Sequence, residues 1–505
     1  MNKAILETPA GADAPTGATP PLPASSAKRA VRSFDIFDTL IARDCIDARS
    51  IFARVEALTK NPGFAADRVA AEQRVFGGGY TMDDIYEELM KIRGWTPQQR
   101  DAAQAAEIFL ELEAVTPIAE NLALVRDGDV AVSDMYLPEE VIRMLLKKAG
   151  LAKEIGLVVS SHGKSSGNIW PLLQAHYEIE EHLGDNQASD VQSPQGFGIV
   201  SRHTKIASPD GVETWFLQNG FRGLAQIVRQ ARLSTWHDDP VMRQLQLIQS
   251  RFNFPILLLS SILLARLVAA NKIQNVLFCS RDCNLWIDLF RAVRQQMGVE
   301  TGESYFYTSR LARMKSSPSY RRYAEQALKG GSLLVDVCGT GWSLSHMLRG
   351  LGVQAPVFFI HHLPKSDVYE QMRPTPEGMT VHSVMKGWPA GVNNQYLEAA
   401  NYADHPQIVD VCYVNDSPHP VFAPERRPEA VLSMIRAQRN SFKQAVGLVE
   451  SQRLGEAMHA SDEALRAMVQ ELYGSLCKQR LLPATYDAMH RAEEEDQIVQ
   501  LRMMS

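Results

Sequence analysis

Cysteine is scarce in this sequence, with six residues spread over a chain of 505. They are Cys45, Cys279, Cys283, Cys338, Cys412 and Cys477. One pair lies four residues apart, but no second Cys or His pair completes a zinc-binding pattern. We therefore expect free thiols, as in proteins of a reducing compartment, and neither a disulfide framework nor a zinc site.

An excess of basic charge and a long uninterrupted apolar run are also lacking. The formal net charge is −6, so the sequence has no basic excess of the kind that indicates nucleic-acid binding. The N-terminus lacks the basic-then-apolar pattern of a signal peptide. The most apolar run, residues 254–270, is interrupted by Arg266 and is shorter than the about 20 residues that a membrane span needs. We expect a cytoplasmic protein with no membrane span and no nucleic-acid partner, in which this run is a buried core helix.

The chain divides by sequence pattern into five parts. Apolar residues make up 45% and charged residues 22%, as is ordinary for a globular protein, and the length allows two or three domains of about 150 residues. The five predicted parts are a disordered leader (1–29), a first α/β domain with a helical insertion at about 46–120 (30–205), a connecting segment (206–244), a second, doubly wound α/β domain (245–415), and a Pro-rich linker with a helical C-terminal region (416–505).

In the first α/β domain, apolar segments end in polar side chains. The predicted strands cover residues 30–37, 130–134, 155–161, 182–185 and 198–201. Helices are predicted between them, for example at 138–150 and 168–178, and this alternation indicates a parallel sheet. Because ligands bind outside the carboxyl ends of the strands in such sheets, we expect the polar groups at the strand ends to converge on one crevice.

The second α/β domain repeats the pattern. Its predicted strands cover residues 275–279, 305–307, 332–337 and 357–361, and a turn of small residues, Cys-Gly-Thr-Gly, follows the third of them. Ser280-Arg281-Asp282 and Ser309-Arg310 also follow strands, so their side chains could reach the same crevice, although ion pairs are an equal explanation. Glu398 and His405 are predicted to be ordinary loop residues.

The strand ends of the first domain together resemble the four motifs of the haloacid dehalogenase-like (HAD) hydrolase superfamily. The segments Phe-Asp-Ile-Phe-Asp-Thr at 34–39 and Ser-Asp-Met-Tyr-Leu-Pro at 133–138 are similar to those of a bacterial group of two-domain predicted HAD hydrolases, often linked to cell-surface polysaccharide biosynthesis. The resemblance covers about residues 30–205. It implies a HAD-type Rossmann-like sheet with a helical cap that closes over the site and selects a small phosphorylated substrate.

The resemblance also implies roles for individual residues. Asp35 would be the nucleophile, Ser133 would donate a hydrogen bond to a phosphoryl oxygen, and Lys164 would offset negative charge in the transition state. Asp185, together with Asp35, would bind Mg²⁺.

The backbone carbonyl of Phe37 would complete the implied Mg²⁺ site, and Asp190 would orient the ligands or bind the ion directly. The family's phosphatases carry an Asp as general acid and base where this chain has Phe37. General acid-base catalysis contributes about 10²–10⁴-fold, so simple monoester hydrolysis is not the expected reaction.

Three interpretations of the first site stay open. One is phosphoryl transfer or hydrolysis with a good leaving group, with a proton supplied by His162, Asp134 or a cap residue. The second is metal-independent dehalogenation, which the carboxylate pair Asp185 and Asp190 disfavours. The third is a non-catalytic binding or scaffold protein with the same fold.

The turn of the second domain resembles the phosphoribosyl-diphosphate loop of phosphoribosyltransferases. Asp336 would bind ribose hydroxyls, and Thr340, Gly341 and Ser343 would surround the 5-phosphate at a helix N-terminus. Val335 stands where such loops usually have a second acid. A glycine-rich turn without a ligand is the alternative.

Overall fold

The computed structural model describes residues 28–77, 79–363, 379–387, 389, 392–479 and 485–492. The predicted leader lies outside these residues except for its last two, and Arg29 already belongs to the first strand.

The described residues contain fourteen strands, and their helices carry most of the remaining regular structure. The strands are β1 (Arg29–Phe34), β2 (Ile41–Arg43), β3 (Val115–Pro117), β4 (Val130–Asp134), β5 (Gly156–Ser160), β6 (Tyr177–Gly184), β7 (Ser201–His203), β8 (Asn275–Cys279), β9 (Gly302–Phe306), β10 (Ser332–Gly339), β11 (Ala355–His362), β12 (Met379–Lys386), β13 (Ile408–Val414) and β14 (Ser417–Phe422). The α-helices are α1 (Ser50–Thr59), α2 (Phe64–Val75), α3 (Met82–Arg93), α4 (Pro97–Ala114), α5 (Ala119–Leu122), α6 (Glu139–Lys148), α7 (Ile169–His176), α8 (Ser193–Gln195), α9 (Gly211–Gln218), α10 (Arg222–Leu233), α11 (Pro240–Ile248), α12 (Phe254–Asn271), α13 (Trp286–Gln296), α14 (Arg310–Lys315), α15 (Pro318–Leu328), α16 (Trp342–Leu351), α17 (Asn394–Ala399), α18 (Glu429–Ser451) and α19 (Asp462–Cys477).

Two five-stranded parallel sheets organise the chain, as the alternation of strands and helices predicted. The first has the order β5-β4-β1-β6-β7 and the second the order β12-β11-β10-β8-β9. In each sheet the chain starts near the centre, adds strands on one side and then crosses to the other. The direction in which strands are added therefore changes between β1 and β6 in the first sheet and between β8 and β10 in the second. We call these positions the reversal points of the sheets, and parallel sheets of this kind bind ligands there.

The insertion after β1 consists of α1 to α4. Thr81 and Thr96 cap α3 and α4, each in a reciprocal capping box. Apolar side chains of these helices, such as Ile51 and Leu89, share one buried cluster with Phe34 at the end of β1. The insertion is thus packed against the carboxyl end of the first sheet.

A buried ion pair links two helices of the insertion. Arg68 on α2 donates from Nε to Glu107 Oε2 on α4 and from Nη2 to Glu107 Oε1, both at 2.9 Å, and neither side chain is exposed. The hydroxyls of Tyr86 and Tyr136 also donate to the Glu107 carboxylate. Because Tyr136 follows β4, this network ties the insertion to the sheet.

The second sheet shares a core with helices from both of its sequence flanks. One buried cluster contains Phe216 of α9, Ile227 of α10, Phe254 of α12, Val335 of β10 and Tyr473 of α19. The segment between the predicted domains and the C-terminal helices therefore pack together with the second sheet.

One helix of the described residues, Pro240–Asn271, is long and apolar enough to cross a membrane. It joins α11, a π-helical segment and α12, and 83% of its apolar window is buried inside the protein. A core helix passes the same composition test, and the burial matches the expected core helix.

Four local predictions need correction. Helix α7 ends at His176, and Tyr177 and Glu178 belong to β6, because their alternating side chains continue a strand that pairs with β1 from Arg29 onward. Strand β7 begins only at Ser201. Glu398 lies in α17 instead of a loop.

The fourth correction concerns the predicted Pro-rich linker. Ser417–Phe422 forms β14, which pairs antiparallel with β13. The two-residue turn between them is Asn415-Asp416, with φ of 49° and 60°, the left-handed geometry that tight hairpins require. Prolines are tolerated in β14 because it is an edge strand.

All six cysteines are free, as predicted.

Candidate functional sites

The first site lies at the reversal point of the first sheet, between β1 and β6. Asp35 follows β1 directly, and its backbone N–H donates to the carbonyl of Leu183 in β6 at 2.8 Å. Asp185 follows β6 directly. Asp190 lies in a π-helical turn, Gln187–Gln192, after the same strand. The topology therefore brings three predicted carboxylates to one edge of the sheet.

Lys164 occupies the centre of this site. Its Nζ donates to Asp35 Oδ1 and, at 2.7 Å, to Asp190 Oδ1. Burial disfavours the ammonium form of Lys164, but the carboxylates of Asp35 and Asp190 raise its pKa above the ordinary value. The side chain is therefore a fixed positive charge between two acids that are 129 residues and 26 residues away along the chain.

The three carboxylates form a cluster that can bind a cation. One oxygen from each of Asp35, Asp185 and Asp190 lies within 4.8 Å of the others. Burial, together with the negative charge of Asp35 and Asp38, raises the pKa of Asp185 to about 7. Burial likewise raises the pKa of Asp35, against the opposing effect of Lys164. The negative charge of the three carboxylates exceeds the single positive charge of the Lys164 ammonium.

The donor set fits Mg²⁺. Asp35 Oδ2 is buried and has no hydrogen-bond partner among the described residues, so one oxygen of the cluster is left for a ligand. Three carboxylates against one lysine leave an excess of two negative charges when all are ionised, and oxygen donors are those that Mg²⁺ prefers.

Asp190 is held by its surroundings. Its Oδ2 accepts from the backbone N–H of Asn186 at 3.0 Å. Burial opposes its ionisation, but hydrogen bonds from His182 and Lys164 lower its pKa. A Cβ built on Gly184 would lie 2.4 Å from both Cβ and Cγ of Asp190. The Gly-Asp pair at the end of β6 thus has a steric function, because only glycine leaves room for Asp190.

His182 supports Asp190 from inside the sheet and was not among the predicted site residues. Its Nε2 lies 3.4 Å from Asp190 Oδ1, and its Nδ1 lies 2.8 Å from Ser33 Oγ in β1. Burial lowers its pKa, which favours the neutral ring. The alternating pattern of β6 could have indicated an inward His, but not its partners.

Asp134 positions the loop that carries Lys164. Its Oδ1 accepts from Ser160 Oγ and from the backbone N–H of Lys164, both at 2.8 Å. Its Oδ2 accepts from the backbone N–H and the hydroxyl of Ser165 at 2.9 and 3.0 Å. The sequence predicts Asp134 as one of three candidate proton donors; in the structure its two oxygens accept these four hydrogen bonds.

The other predicted residues lie around this centre. Ser133 is buried at the end of β4, next to β1 in the sheet. Phe37 lies in the turn after Asp35, with the guanidinium of Arg43 4.7 Å from its ring centre. His162 is exposed and contacts Ser165 Oγ through Nδ1 at 3.0 Å.

A cavity of about 200 Å³ adjoins the carboxylates. Asp38 and Asp185 line it together with Lys205 and Arg229. Arg229, on α10, donates to the carbonyls of Ala207 and Arg43 and lies 3.5 Å from Asp38 Oδ1. A helix that shares the core of the second sheet therefore contributes to the border of the first site.

The four residues predicted for the second domain line one cavity of about 470 Å³. Asp336 lies within β10, Thr340 and Gly341 form the turn after it, and Ser343 lies in the first turn of α16. The triplet Ser280-Arg281-Asp282 follows β8 and lines the same cavity. The structure thus brings all four together at the point where the second sheet reverses direction.

Arg313 was not predicted for this second site. It lies on α14, its side chain is 9% exposed, and it donates to the hydroxyls of Thr308 and Ser343, both at 3.0 Å. Ser309 and Arg310 line the cavity as well. Glu398 reaches it from α17 and accepts from Cys338 Sγ at 3.1 Å.

No protein-family model matches the chain, and a search of curated proteins finds no matching sequence. The fold places the chain in the class of α/β proteins. Its two five-stranded parallel sheets are consistent with two Rossmann-like domains. Each sheet has a polar site at its reversal point.

Proposed function

We propose that the first site belongs to a HAD-type, Mg²⁺-dependent phosphohydrolase or phosphotransferase that acts on a small phosphorylated metabolite. The observation that carries this proposal is the buried contact of Lys164 with both Asp35 and Asp190. A lysine between two acids, with Asp185 beside them, is an arrangement suited to the charge that develops in phosphoryl transfer.

Asp35 is the proposed nucleophile. A carboxylate oxygen of Asp35 attacks the phosphorus, a new O–P bond forms, and the bond to the leaving oxygen breaks with its electron pair on that oxygen. Water, or an acceptor hydroxyl, then attacks the same phosphorus and loses its proton to solvent, while the bond to Asp35 breaks with its electron pair on the carboxylate oxygen. Hydrolysis thus releases inorganic phosphate and restores Asp35.

Lys164 and Ser133 would stabilise the charge that builds up on the phosphoryl oxygens. The Lys164 ammonium already contacts Asp35, so it needs no large movement to follow the phosphoryl group. The Ser133 hydroxyl can donate one hydrogen bond from the neighbouring strand. Preorganised donors of this kind contribute about 3–4 kcal/mol each in other enzymes.

The carboxylates of Asp35, Asp185 and Asp190 would hold Mg²⁺. When bound, a divalent cation neutralises phosphoryl oxygens and orients them for in-line attack. The contribution of the chain is the acidic cluster itself, with Asp190 fixed by Asn186 and His182.

The leaving group must be one that departs with little protonation. Phe37 stands where an acid would be expected, Asp134 is engaged by the Lys164 loop, and His162 is exposed. We therefore expect acyl phosphates, anhydrides or anomeric sugar phosphates as substrates, and slow reaction with simple alkyl phosphates.

The test is phosphate release with Mg²⁺ from a panel of acyl phosphates, nucleotides and sugar phosphates. Asp35→Asn should lower the rate by about 10³-fold or more, because the nucleophile is lost. The matched control is Asp101→Asn, at a side chain that is 61% exposed, and it should keep the full rate. Equal loss in both variants, or turnover that survives Asp35→Asn, contradicts the proposal.

A non-catalytic ligand-binding protein is the second candidate, and Phe37 is the observation that favours it. This candidate expects no phosphate release from any substrate of the panel, together with phosphate-ester binding that survives Asp35→Asn. Metal-independent dehalogenation gains no support, because it does not use the cation-binding cluster of three carboxylates.

A further inference from the structure

Arg229 connects two segments that lie next to carboxylates of the first site. It is a buried residue of α10, a helix that follows the predicted first α/β domain in the chain. Its Nη1 donates to the carbonyl of Arg43 at 2.7 Å, and its Nε and Nη2 donate to the carbonyl of Ala207 at 3.0 and 2.8 Å. One guanidinium therefore holds a segment that follows Asp35 and a segment that follows Asp185.

The first of these segments is the turn after Asp35, together with the short strand β2. The backbone N–H of Asp38 donates to the carbonyl of Ile41 at 2.6 Å, which closes the turn onto β2. Arg229 holds β2 through the carbonyl of Arg43, and its Nη2 lies 3.5 Å from Asp38 Oδ1. The path of the chain after Asp35 therefore depends on this guanidinium.

The second segment leaves the end of β7 beside Asp185. His203 Nε2 donates to the carbonyl of Asp185 at 2.6 Å, and the backbone N–H of Thr204 donates to the carbonyl of Gly184 at 2.9 Å. Shortly after these contacts, the carbonyl of Ala207 accepts the two hydrogen bonds from the guanidinium on α10. The backbone at Asp185 is thus connected to α10 through one short stretch of chain.

Helix α10 takes its own position from the core of the second sheet. Ile227 and Val228 are fully buried in the cluster that also contains Val335 of β10. Gln230 Oε1 accepts from Gln452 Nε2, just after α18, at 2.5 Å. Packing outside the first α/β domain therefore places the guanidinium that holds the two segments.

The spacing of the two segments matters because Mg²⁺ requires nearly ideal octahedral geometry. Oxygens of Asp35 and Asp185 lie within 4.8 Å of each other, and the ligands of such a site must be held within about 0.5 Å of their working positions. Arginine is suited to this task, since its planar guanidinium presents several donors in a fixed fork, whereas lysine is a point charge on a flexible stem.

We propose that Arg229 is a positioning residue for the cation site of the first sheet: it holds the segments after Asp35 and Asp185 together and so sets the spacing of these two carboxylates. The first site is then completed by a helix that packs with the second sheet. This inference rests on the proposed role of the carboxylate cluster in binding a divalent cation.

The test is the affinity of the full chain for Mn²⁺, which takes the same oxygen ligands as Mg²⁺, with free Mn²⁺ measured by electron paramagnetic resonance. Arg229→Met should raise the Kd for Mn²⁺ by about 10-fold to 100-fold, as the loss of a group that orients metal ligands typically does. Arg229→Lys keeps the charge but not the fork, and it should raise the Kd by about threefold or more. The lysine variant decides the question if Arg229→Met does not fold.

The matched control is Arg427→Met. Arg427 is also buried and donates to the carbonyl of Ala403 and to Glu425, so its loss removes similar contacts without altering either segment of the first site. Its Kd for Mn²⁺ should stay within about twofold of the wild-type value. Urea midpoints of all variants separate a loss of stability from a loss of cation affinity.

Equal Mn²⁺ affinity in the wild type and the Arg229 variants overturns the inference, and so does an equal loss in Arg427→Met. Phosphate release by the wild type separates this inference from the proposed function. Mn²⁺ binding that depends on Arg229, without phosphate release from any substrate of the panel, supports the positioning role and contradicts phosphoryl transfer. A wild type that binds no Mn²⁺ contradicts both.

Discussion

Lys164 Nζ lies 2.7 Å from Asp190 Oδ1 in a site where the two side chains are only 3% and 1% exposed. The lysine also contacts Asp35. A buried ion pair contributes little net stability when it is compared with apolar side chains, but the loss of one partner leaves an uncompensated charge. The contact is therefore best explained by the chemistry of the site, and it makes the site sensitive to single substitutions.

Lys164→Met is expected to abolish phosphate release and to lower the free energy of unfolding by about 3–5 kcal/mol, because it leaves Asp35 and Asp190 buried without their cation. Urea unfolding and the phosphate assay measure the two effects. Lys153→Met removes an exposed lysine that is 3.7 Å from Asp127, and it should change stability by less than about 0.5 kcal/mol. A stability loss of the same size in both variants would contradict the assignment.

Gly184→Ala is expected to displace Asp190. The added Cβ would lie 2.4 Å from two atoms of that side chain, and overpacking of this kind costs about 1–3 kcal/mol. We expect phosphate release to fall together with the affinity for Mg²⁺, measured by titration of the metal. Gly211→Ala is the control, since a Cβ added at Gly211 would meet no neighbouring group within 4 Å; full activity in both variants would refute the steric function of Gly184.

Asp134→Asn is expected to slow phosphate release by about 10-fold to 100-fold, because the amide cannot accept all four hydrogen bonds that orient the Lys164 loop. The measurement is kcat beside KM, and kcat should carry most of the loss. Asp127→Asn is matched, because the exposed Asp127 also accepts a backbone N–H, that of Glu154 at 2.9 Å. The idea fails if the two variants have the same kcat.

Arg68→Met is expected to destabilise the helical insertion by about 3–5 kcal/mol, since it leaves the carboxylate of Glu107 buried without the positive charge that offsets it. The double variant Arg68→Met/Glu107→Met should recover most of this loss. Hydrogen exchange of α2 and α4 measures local stability, and Arg74→Met, at a side chain that is 60% exposed, serves as the control. A double variant less stable than the single one would be the contrary result.

Asp336→Asn is expected to stabilise the protein at high pH and not at low pH. Burial raises the pKa of Asp336 from 3.8 to about 6 in the folded protein. As the pH rises, the unfolded chain therefore releases this proton at a lower pH than the folded protein does. The contribution of Asp336 to the stability of the wild type therefore falls between about pH 4 and pH 6 and stays reduced above that range, by about 3 kcal/mol at most.

Urea midpoints of the wild type and Asp336→Asn at about pH 4.5 and pH 8 test this dependence. The difference between them should be small at the lower pH and large at the higher pH. Asp288→Asn, at a side chain that is 51% exposed, should show no such pH dependence. A stabilisation of equal size at both values would exclude burial of Asp336 as its cause.

Much of the sheet architecture could be predicted from the sequence because buried parallel strands are short apolar runs. The bounds of β4 and β8 were predicted to the residue, Val130–Asp134 and Asn275–Cys279. Tyr177 and Glu178 were misassigned because helix and strand patterns overlap where α7 passes directly into β6. The hairpin was missed because prolines in Ser417–Phe422 resemble a linker.

The side chains that orient the predicted residues could not be found in the same way. His182 and Arg313 contact their partners only through tertiary structure, since Ser33 is 149 residues from His182 and Ser343 is 30 residues from Arg313. The sequence indicated Asp134 as a candidate site residue. Its contacts with Ser160, Lys164 and Ser165 could not be predicted, because they depend on the path of one loop. A sequence pattern indicates which residues end a strand, not which neighbours they meet.

The position of β1 between β4 and β6 has a consequence for biosynthesis. β1 pairs with both strands, so its pairing cannot be completed until Gly184, the last residue of β6, has left the ribosome. At about 5–20 residues per second, that takes about 8–30 seconds after β1 emerges. Until then the strand that precedes Asp35 has at least one open edge, and nascent chains of this protein should depend on chaperones that shield such edges.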